Sequence, residues 1–212
     1  EKEIRNAIKM TPNKAPGPPG IRITLFKKFT NQFVPILTKL ANQALLTGEI
    51  GEYLLNGLIT LIPKKEDSNK VNDLRPITLL EIPRKIITKA MTTRIKQVLS
   101  QNVLINESQF CHPGRLIHEN IHTLRLLIER SQIKGTNLHA AFLDCSKAFD
   151  YVNHKYLIEI LKRRDVGDNF LNFISCFLKG TSKIIFNGKL SEEFKIDRGV
   201  PQGETLSPFL FI

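Results

Sequence analysis

Ala141-Phe142-Leu143-Asp144-Cys145-Ser146-Lys147-Ala148-Phe149-Asp150 is the stretch on which the reading of this chain turns. The short apolar run from Leu138 to Leu143 predicts a strand that ends in a carboxylate. A strand end holds a side chain still, and a carboxylate is a hard oxygen donor suited to Mg2+. One carboxylate does not make a two-metal site, which needs several. The same residues also read as a helix start capped by Asp144, and taken alone that is the commoner role of an Asp here. Asp150 would share a face with Asp144 only in a continuous strand. The helix-favouring Ser146–Phe149 argues against one, so a paired-carboxylate glycosidase is a poor fit. A hydrogen bond from a nearby backbone or side-chain donor is the expectation for Asp150.

Working outward, the downstream sequence predicts a bend and a helix carrying Leu157, Ile158 and Leu161, then a helix over Phe170 to Leu178. Lys183 to Phe186, Asn187-Gly188, and Lys189 to Ile196 read as a hairpin, because Asn-Gly suits a type I′ turn. Upstream, Ile4, Ala7 and Ile8 stand at helical spacing. The Pro- and Gly-rich stretch Thr11 to Gly20 forbids a helix. A helical pattern runs from Ile23 to Leu46, with Gly48 as its stop. Leu58 to Ile62 is a β-branched run ending at Pro63, and Arg75 to Leu80 is its expected partner, with Pro76 marking an edge strand or a strand start. Residues 84–99 and 116–130 are amphipathic helices. The first gathers Ile86, Ile87, Ala90, Met91, Ile95, Val98 and Leu99 on one face; the second gathers Ile117, Ile121, Leu124, Leu127 and Ile128. Cys111 to Arg115 reads as a turn. The sum is an α+β chain with many helices and a few antiparallel strands.

Two loops could carry chemistry. Arg198-Gly199-Val200-Pro201-Gln202-Gly203-Glu204-Thr205-Leu206-Ser207-Pro208 sets two glycines around a Val-Pro-Gln core, and glycines permit close backbone approach to a ligand. Read by itself it is a turn. Lys64, Lys65, Lys70 and Arg75 surround the first hairpin, where cations suit a triphosphate or simply remain solvated. His118 and His122 stand four apart on a helix, without the rest of a zinc motif.

Composition sets the frame. The chain has 212 residues, 31 Lys plus Arg against 20 Asp plus Glu, and a net charge of +11. That surplus favours polyanionic partners, nucleic acid first and an anionic membrane face second. With 42% hydrophobic residues and 24% charged ones, it is an ordinary globular chain rather than a disordered one. No apolar run is long enough to span a membrane, and the first residues lack a secretory signal's apolar core. An intracellular protein, nuclear or cytoplasmic, is expected. Cys111, Cys145 and Cys176 lack zinc-site spacing and are expected as buried free thiols in a reducing compartment. Both ends read as cut, as in a piece of a longer protein.

Taken together and in order, these features resemble the reverse transcriptase domain of LINE-type (non-LTR) retrotransposons. Lys14-Ala15-Pro16-Gly17-Pro18-Pro19-Gly20-Ile21 is similar to the family's opening block. Leu61-Ile62-Pro63-Lys64-Lys65 with Asp73-Leu74-Arg75-Pro76-Ile77 resembles the fingers hairpin. Gln109-Phe110, Pro113-Gly114-Arg115 and Glu119-Asn120 resemble the next block. Phe142-Leu143-Asp144 with Lys147-Ala148-Phe149-Asp150 is similar to polymerase motif A, and Gly199-Val200-Pro201-Gln202-Gly203 with Leu206-Ser207-Pro208 to motif B. The resemblance covers essentially the whole chain.

It implies the fingers and partial palm of a right-hand polymerase, with residues 1–137 as fingers and 138–212 as palm. It also implies roles. Asp144 would bind catalytic Mg2+ and the incoming triphosphate, and Phe149 would be the steric gate that rejects a ribose 2′-hydroxyl. Gln202 would lie against the deoxynucleotide, Gly203 would leave room for the backbone, and Lys64 and Arg75 would clamp the phosphates. RNA template, DNA primer and dNTPs are the implied partners. Pro19 stands where the family has Asp, Glu204 and Thr205 fall in a variable stretch, and the Asp-Asp hairpin of motif C is absent. The segment by itself is therefore expected to be inactive. A non-catalytic nucleic-acid-binding remnant and a group II intron or retron-type transcriptase are the competing readings.

Overall fold

A computed structural model describes residues 1–64, 70–101 and 116–211. Lys65, the 109–115 block with its turn, and the burial of Val98 and Leu99 lie outside the described residues.

The first helix, α1 (Lys2–Met10), buries Ile4, Ala7 and Ile8, the spacing read from the sequence. The helical pattern from Ile23 divides into α2 (Ile23–Lys28) and α3 (Thr30–Thr47). The break falls at Phe29, where the backbone leaves the helical region at φ −111°, ψ 39°. The Thr30 hydroxyl bonds back to the carbonyls of Phe26 and Lys27 there, a competition with regular helix bonding that Thr is built to make. Gly48 ends α3 in the left-handed conformation at φ 68°, the stop its residue type foretold.

Strands β1 (Gly57–Pro63) and β2 (Leu74–Leu80) form the expected antiparallel hairpin, with Leu61 opposite Pro76. β2 is an edge strand, where a proline costs no ladder bond. Helix α4 (Ile82–Gln101) follows directly and buries Ile86, Ile87, Ala90 and Met91. Then come α5 (Ile117–Lys134), α6 (His154–Arg163) and α7 (Asp168–Leu178). Strand β3 (Thr181–Phe186) turns through Asn187 (φ 49°) and Gly188 (φ 74°), the positive pair a type I′ turn requires. The return runs as β4 (Lys189–Leu190) and β5 (Phe194–Lys195), both paired to β3. A short α8 (Ser207–Phe211) follows the last loop.

The sheet order is β2-β1-β3-β4, and β3 runs parallel to β1, Leu58 beside Lys183. Helix α7 packs on α3, and α1 packs on both α4 and α3. The main core joins α1, α3, α4 and α7 around Ile8, Val34, Ile86, Phe173 and Ile174. Sheet and core therefore both run across position 137.

Two expectations require correction. Residues 138–143 do not form a strand, and Phe142 and Leu143 are 83% and 95% exposed. An apolar strand needs a neighbouring edge, and β1 already has β2 on one side and β3 on the other. No helix starts at Asp144 either; a turn covers 146–151. The second correction concerns α5. It is a helix, but none of its residues is buried, and Ile117, Ile121, Leu127 and Ile128 face outward. Among the described residues no helix is long and apolar enough to cross a membrane.

Candidate nucleotide site

Two separate pieces of chain meet at the loop 198–206. The turn 146–151 approaches from one side. Val200 N–H donates to the Phe149 carbonyl (2.9 Å) and Gly199 N–H to that of Val152 (2.7 Å). Arg198 bridges Asn153 in antiparallel fashion. Edge strand β2 approaches from the other side, where Thr78 N–H donates to the Gln202 carbonyl at 3.0 Å. The loop is thus a backbone-bonded link between β2 and the turn.

The glycines are what let it fit. Gly199 has φ 89°, and a Cβ there would lie 2.8 Å from the Asp150 carbonyl oxygen. Gly203 has φ 110°, with the Thr78 carbonyl oxygen 3.3 Å from where a Cβ would sit. Both conformations are ones an L side chain resists. Past the loop, the Ser207 hydroxyl donates to the Pro201 carbonyl at 2.8 Å and holds the entry to α8.

Side chains add to this frame. Gln202 donates from Nε2 to Asp150 Oδ1 at 3.0 Å, a donor far along the chain rather than a local one. Phe149 stacks on Phe211 with ring centroids 5.0 Å apart. His154, at the start of α6, sets Nε2 2.6 Å from the Gly199 carbonyl, which makes that nitrogen the protonated one. Between β1, β2 and the loop lies a cavity of about 210 Å³, with Thr78, Asp150, Arg198 and Gln202 in its wall.

Beneath the loop is a buried ion pair. Arg84 and Glu204 have side chains only 2% and 4% exposed, and they meet through two contacts, Nε to Oε1 at 3.1 Å and Nη2 to Oε2 at 3.0 Å. Arg84 also donates to the carbonyls of Leu55 and Phe177, both at 3.1 Å, and lies over the Phe177 ring. Its neighbour Lys85 donates to the Ala15 carbonyl, and burial holds that amine below its ordinary range, partly offset by Glu204. Burial pushes the Glu81 carboxyl up, with Lys85 pulling the other way.

The residues singled out from the sequence divide into two groups. Phe149, Gln202 and Gly203 sit in this assembly. Arg75 lies three residues before Thr78 on β2 and is exposed. Lys64, also exposed, donates to the Asn72 carbonyl, and Lys147 reaches the Asn72 side chain at 3.3 Å. That contact lays the turn against the first hairpin. Asp144 stands apart: it is exposed, it lies outside the cavity wall, and its side chain has no hydrogen bond or ion pair among the described residues. The carboxylate brought to Gln202 is Asp150 instead. Among the described residues no three metal-ligating side chains gather, so they do not complete a divalent-metal site around Asp144.

Sequence reading missed Arg84 and Glu204. One signal was available: Arg84 is in phase with the buried Ile87, Thr88 and Met91 on α4, and a charge on an apolar face needs a partner. Cys145 and Cys176 are free; Cys176 is buried as expected, but Cys145 is exposed, because it follows Asp144 in the segment that packs on nothing among the described residues.

Comparison with known proteins gives the family. Residues 62–212 match the family "Reverse transcriptase (RNA-dependent DNA polymerase)". A Transposon TX1 149 kDa protein of Xenopus laevis is 31% identical over 99% of this chain and 16% of its own length. A Retrovirus-related Pol polyprotein from type-1 retrotransposable element R2 of Popillia japonica is 28% identical over 99% of this chain and 29% of its own length. The RNA-directed DNA polymerase from mobile element jockey of Drosophila melanogaster is 28% identical, again over 99% of this chain and 23% of its own length. The chain belongs to the reverse transcriptase family. Within that family these relatives are those of non-LTR retrotransposons, matched along essentially the whole chain, of whose lengths it spans under a third.

Proposed function

We propose that this segment is the fingers and part of the palm of an RNA-directed DNA polymerase. That enzyme extends a DNA 3′ end with dNTPs on an RNA template. The observation that carries the reading is the meeting of β2, the turn 146–151 and the loop 198–206, which joins Phe149 and Asp150 to Val200 and Gln202. Residues 1–137 would supply the fingers and 138–212 the palm, on one shared sheet. Phosphoryl transfer depends mostly on positioning and charge neutralisation. Arg75 and Lys64 are exposed on the hairpin where phosphate would meet them, Lys64 donating to the Asn72 carbonyl, and Lys147 reaches the Asn72 side chain. Gln202 and Gly203 would bound the nucleotide, and Phe149 would stand under its sugar as the gate. Asp144 would supply one hard oxygen ligand to Mg2+. The net charge of +11 serves template and duplex through their phosphates.

The test is primer extension by the full-length polymerase that contains this segment. Asp144→Ala is expected to reduce synthesis at least about a hundredfold while leaving the thermal midpoint unchanged, since a charge-neutralising ligand acts on the transition state. Undiminished synthesis would remove Asp144 from its role.

A further inference from the structure

Stability is a weak reason for the pairing of Arg84 with Glu204. A buried ion pair is often no more stabilising than two well-packed apolar side chains in the same space. What it does supply is direction, because a guanidinium fork meets both carboxylate oxygens in one orientation. Here the fork is itself held by three other elements: its place on α4, the Leu55 carbonyl before β1, and the Phe177 carbonyl near the end of α7. Glu204 is thus fixed to the rigid body of the molecule two residues after Gln202. The intervening Gly203, at φ 110°, has no side chain to hold it. Thr205, next along, is exposed, while Leu206 is buried again.

We propose that Glu204 is a positioning residue, which through Arg84 fixes the loop against β2 and so sets where Gln202 stands. This rests on the reading of Gln202 as a nucleotide-contacting residue. Gln202 makes one contact with each neighbour, its carbonyl with Thr78 N–H and its amide with Asp150. Both depend on where the loop is pinned. Loss of the pin moves Gln202 without removing any group that touches substrate.

The experiment compares Glu204→Gln and the double variant Arg84→Met/Glu204→Leu with the unaltered full-length polymerase. Glu204→Gln is expected to raise the KM for dNTP about tenfold with kcat within about threefold, and to speed exchange of the Thr78 amide about tenfold relative to amides of β1. It leaves Arg84 buried with half its partner, so a lowered thermal midpoint is also expected. The double variant separates the two effects. It is expected to regain the midpoint while keeping the raised KM and the fast Thr78 exchange. A double variant with the original KM and Thr78 exchange would show that the pair serves stability alone and would overturn the proposal. So would Glu204→Gln with both unchanged. If the unaltered polymerase extends no primer, the reading under Proposed function fails, and Thr78 exchange still decides whether Glu204 pins the loop.

Discussion

The loop 198–206 and the segment 138–145 are equally conspicuous in the sequence, yet the fold treats them in opposite ways. The loop is tied by backbone bonds to two other parts of the chain. It is bonded to Phe149, Val152 and Thr78, and Glu204 anchors it from below. The segment presents Leu138, Phe142 and Leu143 to solvent and pairs with no strand among the described residues. The difference lies in who supplies the partners. The loop's partners are the β2 edge, the adjacent turn and one buried arginine. The segment would need a free strand edge beside it, and those of β1 are taken.

That contrast can be attacked at three points. The largest effect is expected at Gly199. Gly199→Ala combines a disfavoured positive φ with overlap on the Asp150 backbone, which cannot swing away as a side chain would. A loss of at least about 2 kcal/mol is expected in chemical unfolding. A neutral outcome would mean that the loop is far less constrained than its contacts imply.

Glu81, at the junction of β2 and α4, comes next. Burial raises its folded-state pKa, with Lys85 opposing. A carboxyl raised in the folded state contributes stability that is fully present below its unfolded pKa and is lost as pH rises through the folded one. Glu81→Gln is therefore expected to be more stable than the unaltered protein at about pH 7 and to lose that advantage near about pH 4. Urea midpoints at the two pH values check this, and an advantage that grows on acidification would reverse the assignment.

The smallest effect is expected in the exposed segment. Leu143→Ser should change stability by less than about 0.5 kcal/mol, because a residue 95% exposed loses almost no packing. A cost comparable to that of Gly199→Ala would erase the contrast and point to a partner for Leu143.

Much of the fold was legible in local sequence. Helix α1, the stop at Gly48, the β1–β2 hairpin, the Asn187-Gly188 turn and α7 all lie where spacing and turn chemistry put them. These depend on residues a few positions apart, so the information is local. The break at Phe29 was missed, because it depends on a threonine hydroxyl choosing carbonyls over solvent. The strand expected at 138–143 failed for the opposite reason: apolar content states a need for neighbours, not their presence. At the site, motif similarity singled out Gln202, Gly203 and Phe149, while the partner of Asp150 and the parts played by His154, Arg84 and Glu204 emerged only with the fold.

Most of the helices and the two hairpins were readable from residue types at short, fixed spacings, the basic charge from a sum over residue types, and the polymerase family from the resemblance of its motif blocks. It took the folded chain to lay β3 parallel to β1, to bring Asp150 rather than Asp144 to Gln202, and to close Arg84 on Glu204. Each of these joins residues far apart along the chain. Nothing near either partner specifies the other until burial brings them together and makes an unpaired charge or an open strand edge too costly to leave.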